Sequence, residues 1–201
     1  RHLRPMRMRF LLPALLCLAS PAGAQAFVRV SGGATGSTDF VKDFIVHPIG
    51  ARQSIAPTGA LMVGWQLPGE YRIAVEARYA RGTWAVDDGG VSGDLGTLAT
   101  LGRAVVADVP GRGALRWEAA AGQLRYMPEQ ELGLFADGGP SRWMLGGGAS
   151  WSRPASATLN LVLGLRYEFH GFSTAALESA GYTRSQTVHR VGLPRALERR
   201  S

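Results

Sequence analysis

The chain has 201 residues, 22 of them Lys or Arg against 15 Asp or Glu, a formal net charge of +7, 27 glycines and one cysteine. Residues 1–26 carry four arginines and no acid, and residues 194–201 add a net two positive charges, so the long middle segment is nearly neutral. A nucleic-acid-binding domain, which needs a basic folded surface, is thereby excluded, and a lone Cys17 excludes a disulfide framework.

Arg7 and Arg9 precede an apolar run from Phe10 to Ala19, followed by Pro21 and the triplet Ala24-Gln25-Ala26. A positive start, a short apolar core and small residues at a cleavage point predict a secretory signal peptide over residues 1–26, cut after Ala26. The run is about half the roughly 20 residues a spanning helix requires, and Pro13 interrupts it. Leu15 and Leu16 stand before Cys17 where a lipoprotein signal needs a small residue.

Eight strands are predicted in the remainder: Phe27 to Thr35, Thr58 to Leu67, Tyr71 to Trp84, Leu95 to Val109, Leu115 to Tyr126, Arg142 to Trp151, Ala157 to Phe172 and Ser185 to Leu193. Their connections alternate in length. Pro68 to Glu70, Pro110 to Gly113 and Ser152 to Ser156 are tight turns rich in Pro and Gly, whereas Gly36 to Pro57, Ala85 to Asp94, Met127 to Ser141 and Ser173 to Arg184 are long. Short turns at one end and long loops at the other predict an up-and-down meander whose two ends meet different surroundings.

Every strand alternates in character, because successive side chains point to opposite faces. In the seventh, Leu159, Leu161, Leu163, Leu165, Tyr167 and Phe169 share one face and Arg166, Glu168 and His170 the other. The third sets Ile73, Val75, Ala77 and Tyr79 against Arg72, Glu76 and Arg78, and the fifth sets Leu115 and Trp117 against Arg116 and Glu118. Periodicity alone allows a water-soluble barrel with the greasy face inside, of the lipocalin kind and binding a small apolar ligand. Three features turn it inside out. Small residues such as Gly64, Gly122 and Gly164 sit on the charged face, where an eight-stranded interior is narrow. Charges there are of both signs, and Lys42 is the chain's only lysine. Aromatics gather near strand ends on the apolar face: Trp65, Trp117 and Trp151 toward the short turns, Trp143, Tyr79, Tyr167 and Phe169 toward the long loops. Two such rings around an apolar band are what the interfaces of a bilayer select. The expected fold is therefore all-β, an eight-stranded up-and-down antiparallel transmembrane β-barrel over residues 27–193, preceded by the signal peptide and followed by a basic tail over 194–201. Arg72, Glu76, Arg78, Arg116, Glu118, Arg166, Glu168, His170 and Arg190 are expected as an ion network in its lumen.

With its signal peptide, its "FVRVSGG" opening strand, its loop alternation and its "YRIAVEARYARG" and "LGLRYEFHG" strands, the chain resembles the small outer-membrane barrels of the OmpA and OmpX kind over Phe27 to Leu193. That resemblance implies a monomer of eight strands with both termini in the periplasm and no cofactor. Such chains finish on an aromatic residue that closes the last strand; here "QTVHRVGL" runs into Pro194, which lacks a ladder N–H, and "PRALERRS".

Few residues suggest chemistry. Glu168, His170 and Ser173 offer an acid, a base and a nucleophile, as a barrel enzyme acting on lipid A would need, but alternation puts Ser173 on the face opposite the other two. The acids of "DDGGVSGD" (Asp87 to Asp94) are too few for a calcium site, and "GGATGST" (Gly32 to Thr38) lacks the lysine of a phosphate loop. No catalytic, cofactor or metal site is expected. The first long loop, with Phe40, Phe44, Ile45 and Ile49, is apolar enough to fold over the barrel mouth or to touch a partner. The expected role is structural or surface-interacting: lipid around the wall, an extracellular ligand or a host cell surface at the loops, and at most a narrow channel.

Overall fold

The computed structural model describes residues 25–43, 49–68, 71–86, 92–109, 114–181 and 185–200. Most of the expected signal peptide, Phe44 and Ile45, and residues 87–91 of the second long loop lie outside them. Ten strands are described: β1 Gln25–Ser37, β2 Val41–Asp43, β3 Ile49–Gln53, β4 Ala56–Gln66, β5 Arg72–Val86, β6 Ser92–Val109, β7 Ala114–Pro128, β8 Ser141–Pro154, β9 Leu159–Phe172 and β10 Gln186–Arg200. Every pairing is antiparallel. The eight long strands run in the order β5, β4, β1, β10, β9, β8, β7, β6, and β5 pairs again with β6, so the sheet closes on itself. Closure leaves the long strands no bare edge.

β2 and β3 form a small hairpin above the wall, inside the first long loop, with β3 extending the ladder of β5 from Trp84 to Val86. The loop after β7 holds a single 3-10 turn at Gly133–Phe135. The loop after β9 holds a short helix, α1, Ala175–Ser179, started by Thr174, whose side chain accepts a hydrogen bond from the Leu177 amide. Among the described residues nothing else in the long loops is regular.

The strand faces resolve as an inside-out barrel. Leu161, Leu163 and Leu165 are 39, 40 and 53% exposed on the outer wall, while Arg166, the next residue, is 6% exposed inside. The same outward face carries Val28 and Val30 on β1, Ile73 and Val75 on β5, and Leu193 and Leu197 on β10.

Two boundaries differ from the sequence reading. Gln25 and Ala26, assigned to the signal peptide, are strand residues of β1, opposite Gln66 and Trp65. The expected basic tail does not exist as a tail: β10 continues through Pro194 to Arg200, paired with β1 without a break from Ser37↔Arg190 down to Phe27↔Arg200. Proline breaks only one side. The β9–β10 register runs to Gly192↔Arg166, omits Leu193 and Pro194, and resumes in phase at Arg195↔Leu163. Glycines make room for the ring: a side chain at Gly164 would begin 3.0 Å from Pro194 Cγ, and one at Gly33 would begin 2.4 Å from the Leu193 carbonyl oxygen. A proline without a ladder N–H reads in sequence as the end of a strand, and here its neighbours absorb the defect.

The interior is layered. At the short-turn end Phe27, Met62 and Ala74 form a small apolar cluster. Charged side chains occupy the middle. At the long-loop end a larger cluster fills the mouth, built from strand residues such as Trp84, Leu124, Tyr126 and Phe172 and from Phe40, Phe135 and Leu177 of the loops.

Candidate functional site

Four carboxylates organise the middle layer. Glu76 of β5, with no exposed surface, accepts from Arg103 Nε at 2.8 Å and Nη2 at 3.3 Å, and from Arg166 Nη1 at 2.9 Å. Its other oxygen also lies 2.9 Å from Arg166 Nη2, so the Arg166 pair is bidentate. Glu168 of β9 accepts from Arg78 Nη2 and from Arg103 Nη2 at 3.2 Å. Glu118 of β7 accepts from Arg29 Nη1 at 3.2 Å and from the Ser150 hydroxyl at 2.8 Å. Glu198 of β10 accepts from Arg29 at 2.7 and 3.1 Å and from Arg72 Nη1 at 3.2 Å. Arg103 also lies 3.7 Å from Glu118, which joins the upper and lower halves into one network.

These pairs cross the lumen. Counting round the wall, β1 and β7 stand opposite each other, as do β5 and β9. Arg29–Glu118 links the first couple, and Glu76–Arg166 and Arg78–Glu168 the second. A buried carboxylate is strongly disfavoured unless paired and hydrogen-bonded, and each of the four has at least two partners.

All nine residues expected in the lumen point inward. Arg116 is 3% exposed there, and Arg190, also 3% exposed, donates to the Thr97 hydroxyl at 3.3 Å. His170 is engaged by the Tyr126 hydroxyl, 2.6 Å from its Nε2. Three members went unnoticed in the sequence: Arg29, Arg103 and Glu198. Arg29 sits inward beside Phe27 in the "FVRV" opening, so alternation alone could have found it. Arg103 lies on a β6 face otherwise made of Leu95, Thr97, Ala99 and Leu101, which reads as apolar, and Glu198 lay beyond Pro194.

Above this network the mouth is closed by rings. Phe40 stacks on Phe172 with centroids 4.9 Å apart, Phe172 meets Tyr126 edge-on at 5.3 Å, and Trp84 meets Phe135 edge-on at 5.2 Å. The first loop thus folds over the mouth, at least through Phe40, which has no exposed surface. The seven aromatics expected at the interfaces, Trp65, Trp117, Trp151, Trp143, Tyr79, Tyr167 and Phe169, all lie on outward positions; Trp143 is 71% exposed. His189 also faces out, stacked on Tyr167 with Nδ1 2.6 Å from its hydroxyl.

The acid, base and nucleophile do not meet. Glu168 is held by two arginines, His170 by Tyr126, and the Ser173 hydroxyl donates to Glu178 at 2.6 Å on the surface. Among the described residues no group of three metal-ligating side chains occurs. Of the loop "DDGGVSGD", Asp94 belongs to β6 and pairs with Arg81 at 2.9 Å.

No family model matches the chain, and no curated protein matches it. Solved structures do. The chain is similar to Neisserial surface protein A, NspA, with 14% identity over 88% of this chain and 98% of that one and a TM-score of 0.63. It is similar to the outer membrane protein OprG from Pseudomonas aeruginosa, with 10% identity, 88% and 96% covered and a TM-score of 0.55. Ail, the attachment invasion locus protein of Yersinia pestis, solved in complex with the heparin analogue sucrose octasulfate, matches at 10% identity over 89% and 99% with a TM-score of 0.49. The fold is that of a small outer-membrane barrel. At these identities the likeness concerns the fold, and it agrees with the closed wall of eight long antiparallel strands found here.

Proposed function

We propose that the chain is an integral outer-membrane protein, exported by its N-terminal segment, whose wall spans the bilayer with the short turns in the periplasm and the long loops outside. The observation that carries this reading is the pairing of an apolar outer wall with an ion-paired interior. Backbone groups in hydrocarbon must find internal partners, which a closed barrel supplies, and apolar side chains turned outward are content only in lipid. A cut after Ala22-Gly23-Ala24, in place of one after Ala26, would keep Gln25 and Ala26, which pair with Gln66 and Trp65, in the exported barrel.

We further propose that it acts as a monomer through what its loops contact, a ligand or cell surface outside, and that it neither conducts solutes nor catalyses. The crossing ion pairs and the aromatic mouth fill the lumen, consistent with the small interior of an eight-stranded barrel. Alkaline carbonate washing of membranes that contain the protein tests the first part: retention in the pellet is expected, and release without detergent would overturn the assignment. Planar-bilayer recording of the reconstituted barrel tests the second, with no resolvable conductance expected and stable openings counting against it.

A further inference from the structure

The outer wall is not uniformly convex. Across β6, β7 and β8 a shallow apolar groove of about 750 Å³ runs over small residues, with Gly102, Ala104, Ala119, Ala121 and Gly147 on its lining, Ile73 on one side and Leu145, Tyr167 and Phe169 on the other. The ladders place these residues in two adjacent rows, Ile73-Ala104-Ala119-Gly147-Tyr167 and Val75-Gly102-Ala121-Leu145-Phe169. Toward the long-loop end the next rows on the same strands turn polar: Thr100 opposite Gln123, then Leu98 opposite Arg125. Arg125 is exposed and makes no ion pair among the described residues. Directly above lies a second, polar pocket of about 250 Å³ lined by Tyr79, Arg81, Asp94, Gly96, Met127 and Glu129. In it Arg81 holds Asp94 at 2.9 Å and Glu129 at 3.0 Å.

We propose that this wall is a docking site for one phosphorylated, multiply acylated saccharide lipid of the outer leaflet, the lipid A class, with an acyl chain in the groove and the headgroup on Arg125 and the pocket above. The proposal rests on the membrane orientation given above. Depth supports it: from Ala119 to Arg125 is six residues, about 20 Å along the strand and roughly 15 Å along the normal at the usual tilt, close to one leaflet of the apolar band. The chemistry of the upper end selects the headgroup. Arg125 suits a phosphate, and the Asp94 and Glu129 carboxylates, acceptors that would repel a second bare phosphate, suit sugar hydroxyls beside the Tyr79 ring. A glycerophospholipid would use the cation and leave the polar pocket unfilled.

The test is lipid retention by the full, detergent-purified barrel, read by native mass spectrometry after titration with purified lipid A or with phosphatidylglycerol. Wild-type protein should hold one lipid A through washing. Ala121→Leu, which fills the groove with a lipid-compatible side chain, and Arg125→Glu should each weaken retention by roughly tenfold. Val30→Leu, on another part of the outer wall, should leave it unchanged. Equal retention of phosphatidylglycerol, equal loss in Val30→Leu, or no lipid A bound to a folded, detergent-dependent barrel would overturn the proposal while leaving the membrane reading intact. If the membrane reading itself is wrong, the protein will instead stay soluble once detergent is removed.

Discussion

Replacing Glu76 with Gln tests whether the interior is held by charge pairing or only by shape. Glu76 is fully buried and receives five close guanidinium contacts from Arg103, Arg166 and Arg78 at 2.8–3.7 Å. The amide is isosteric, but its NH₂ group faces donors, and Arg166 loses the only carboxylate with which it forms an ion pair among the described residues. Breaking a buried pair from one side costs about 3–5 kcal/mol, because a desolvated charge is left behind. Among the described residues, the inward arginines Arg29, Arg72, Arg78, Arg103, Arg116, Arg166 and Arg190 outnumber Glu76, Glu118, Glu168 and Glu198, and each of the other three carboxylates is already engaged by at least one arginine. Urea unfolding of the barrel in vesicles, followed by tryptophan fluorescence, should show that loss. The double variant Glu76→Leu/Arg166→Leu should be more stable than the sum of its parts by about 2 kcal/mol, as residues in direct contact are coupled. A Glu76→Gln variant within about 1 kcal/mol of wild type, or strictly additive doubles, would refute the reasoning.

Phe172→Ala should cost about 3–5 kcal/mol in the same assay, since it empties the centre of the aromatic mouth between Phe40 and Tyr126. Leu165→Lys places a charge on the outer wall and should destabilise the vesicle-inserted barrel by about 2–4 kcal/mol; indifference to it would favour a wall bathed in water. Deleting residues 194–201 removes half of β10 and the carboxylate of Glu198, so no folded, heat-modifiable band should form on unheated SDS gels. A normal band would show that the last eight residues are dispensable.

What the sequence disclosed follows from where its charges fall. On β9, and through the lower and middle parts of β5 and β7 below the outward Arg81 and Arg125, an Arg or Glu marks one face, so the direction of Arg72, Glu118 or Glu168 is legible from alternation. On β6 it is not: Leu98 lies outward and Leu101 inward, both faces are mostly apolar or small, and Arg103, the residue that touches three glutamates, has no company to give it away. Alternation also fixes a face but not a depth. Trp84, Tyr126 and Phe172 share the inward face with the charged residues, and only the closed barrel brings them level with Phe40 and Phe135 from separate loops. Tyr126 and Phe172, each the last residue of its predicted strand, resemble interface aromatics until the register shows which way they turn.

The final strand shows how the interior and the wall constrain each other. Pro194 interrupts pairing with β9, and a strand interrupted near its middle could re-pair one residue out of step. Such a slip would turn every side chain of the lower half to the opposite face. Glu198 would then enter lipid and leave Arg29 and Arg72 without its carboxylate, while Leu197 would be pushed among the guanidinium groups. The native register instead sets Leu193 and Leu197 outward and keeps Glu198 bonded to β1 on one side and β5 across the lumen. An ion pair that contributes little net stability can still decide between registers, because the alternative puts the Glu198 carboxylate in lipid and takes it from two buried arginines. The same geometry fixes the closing seam: β1 and β10 are held together from inside the lumen by the Arg29–Glu198 pair.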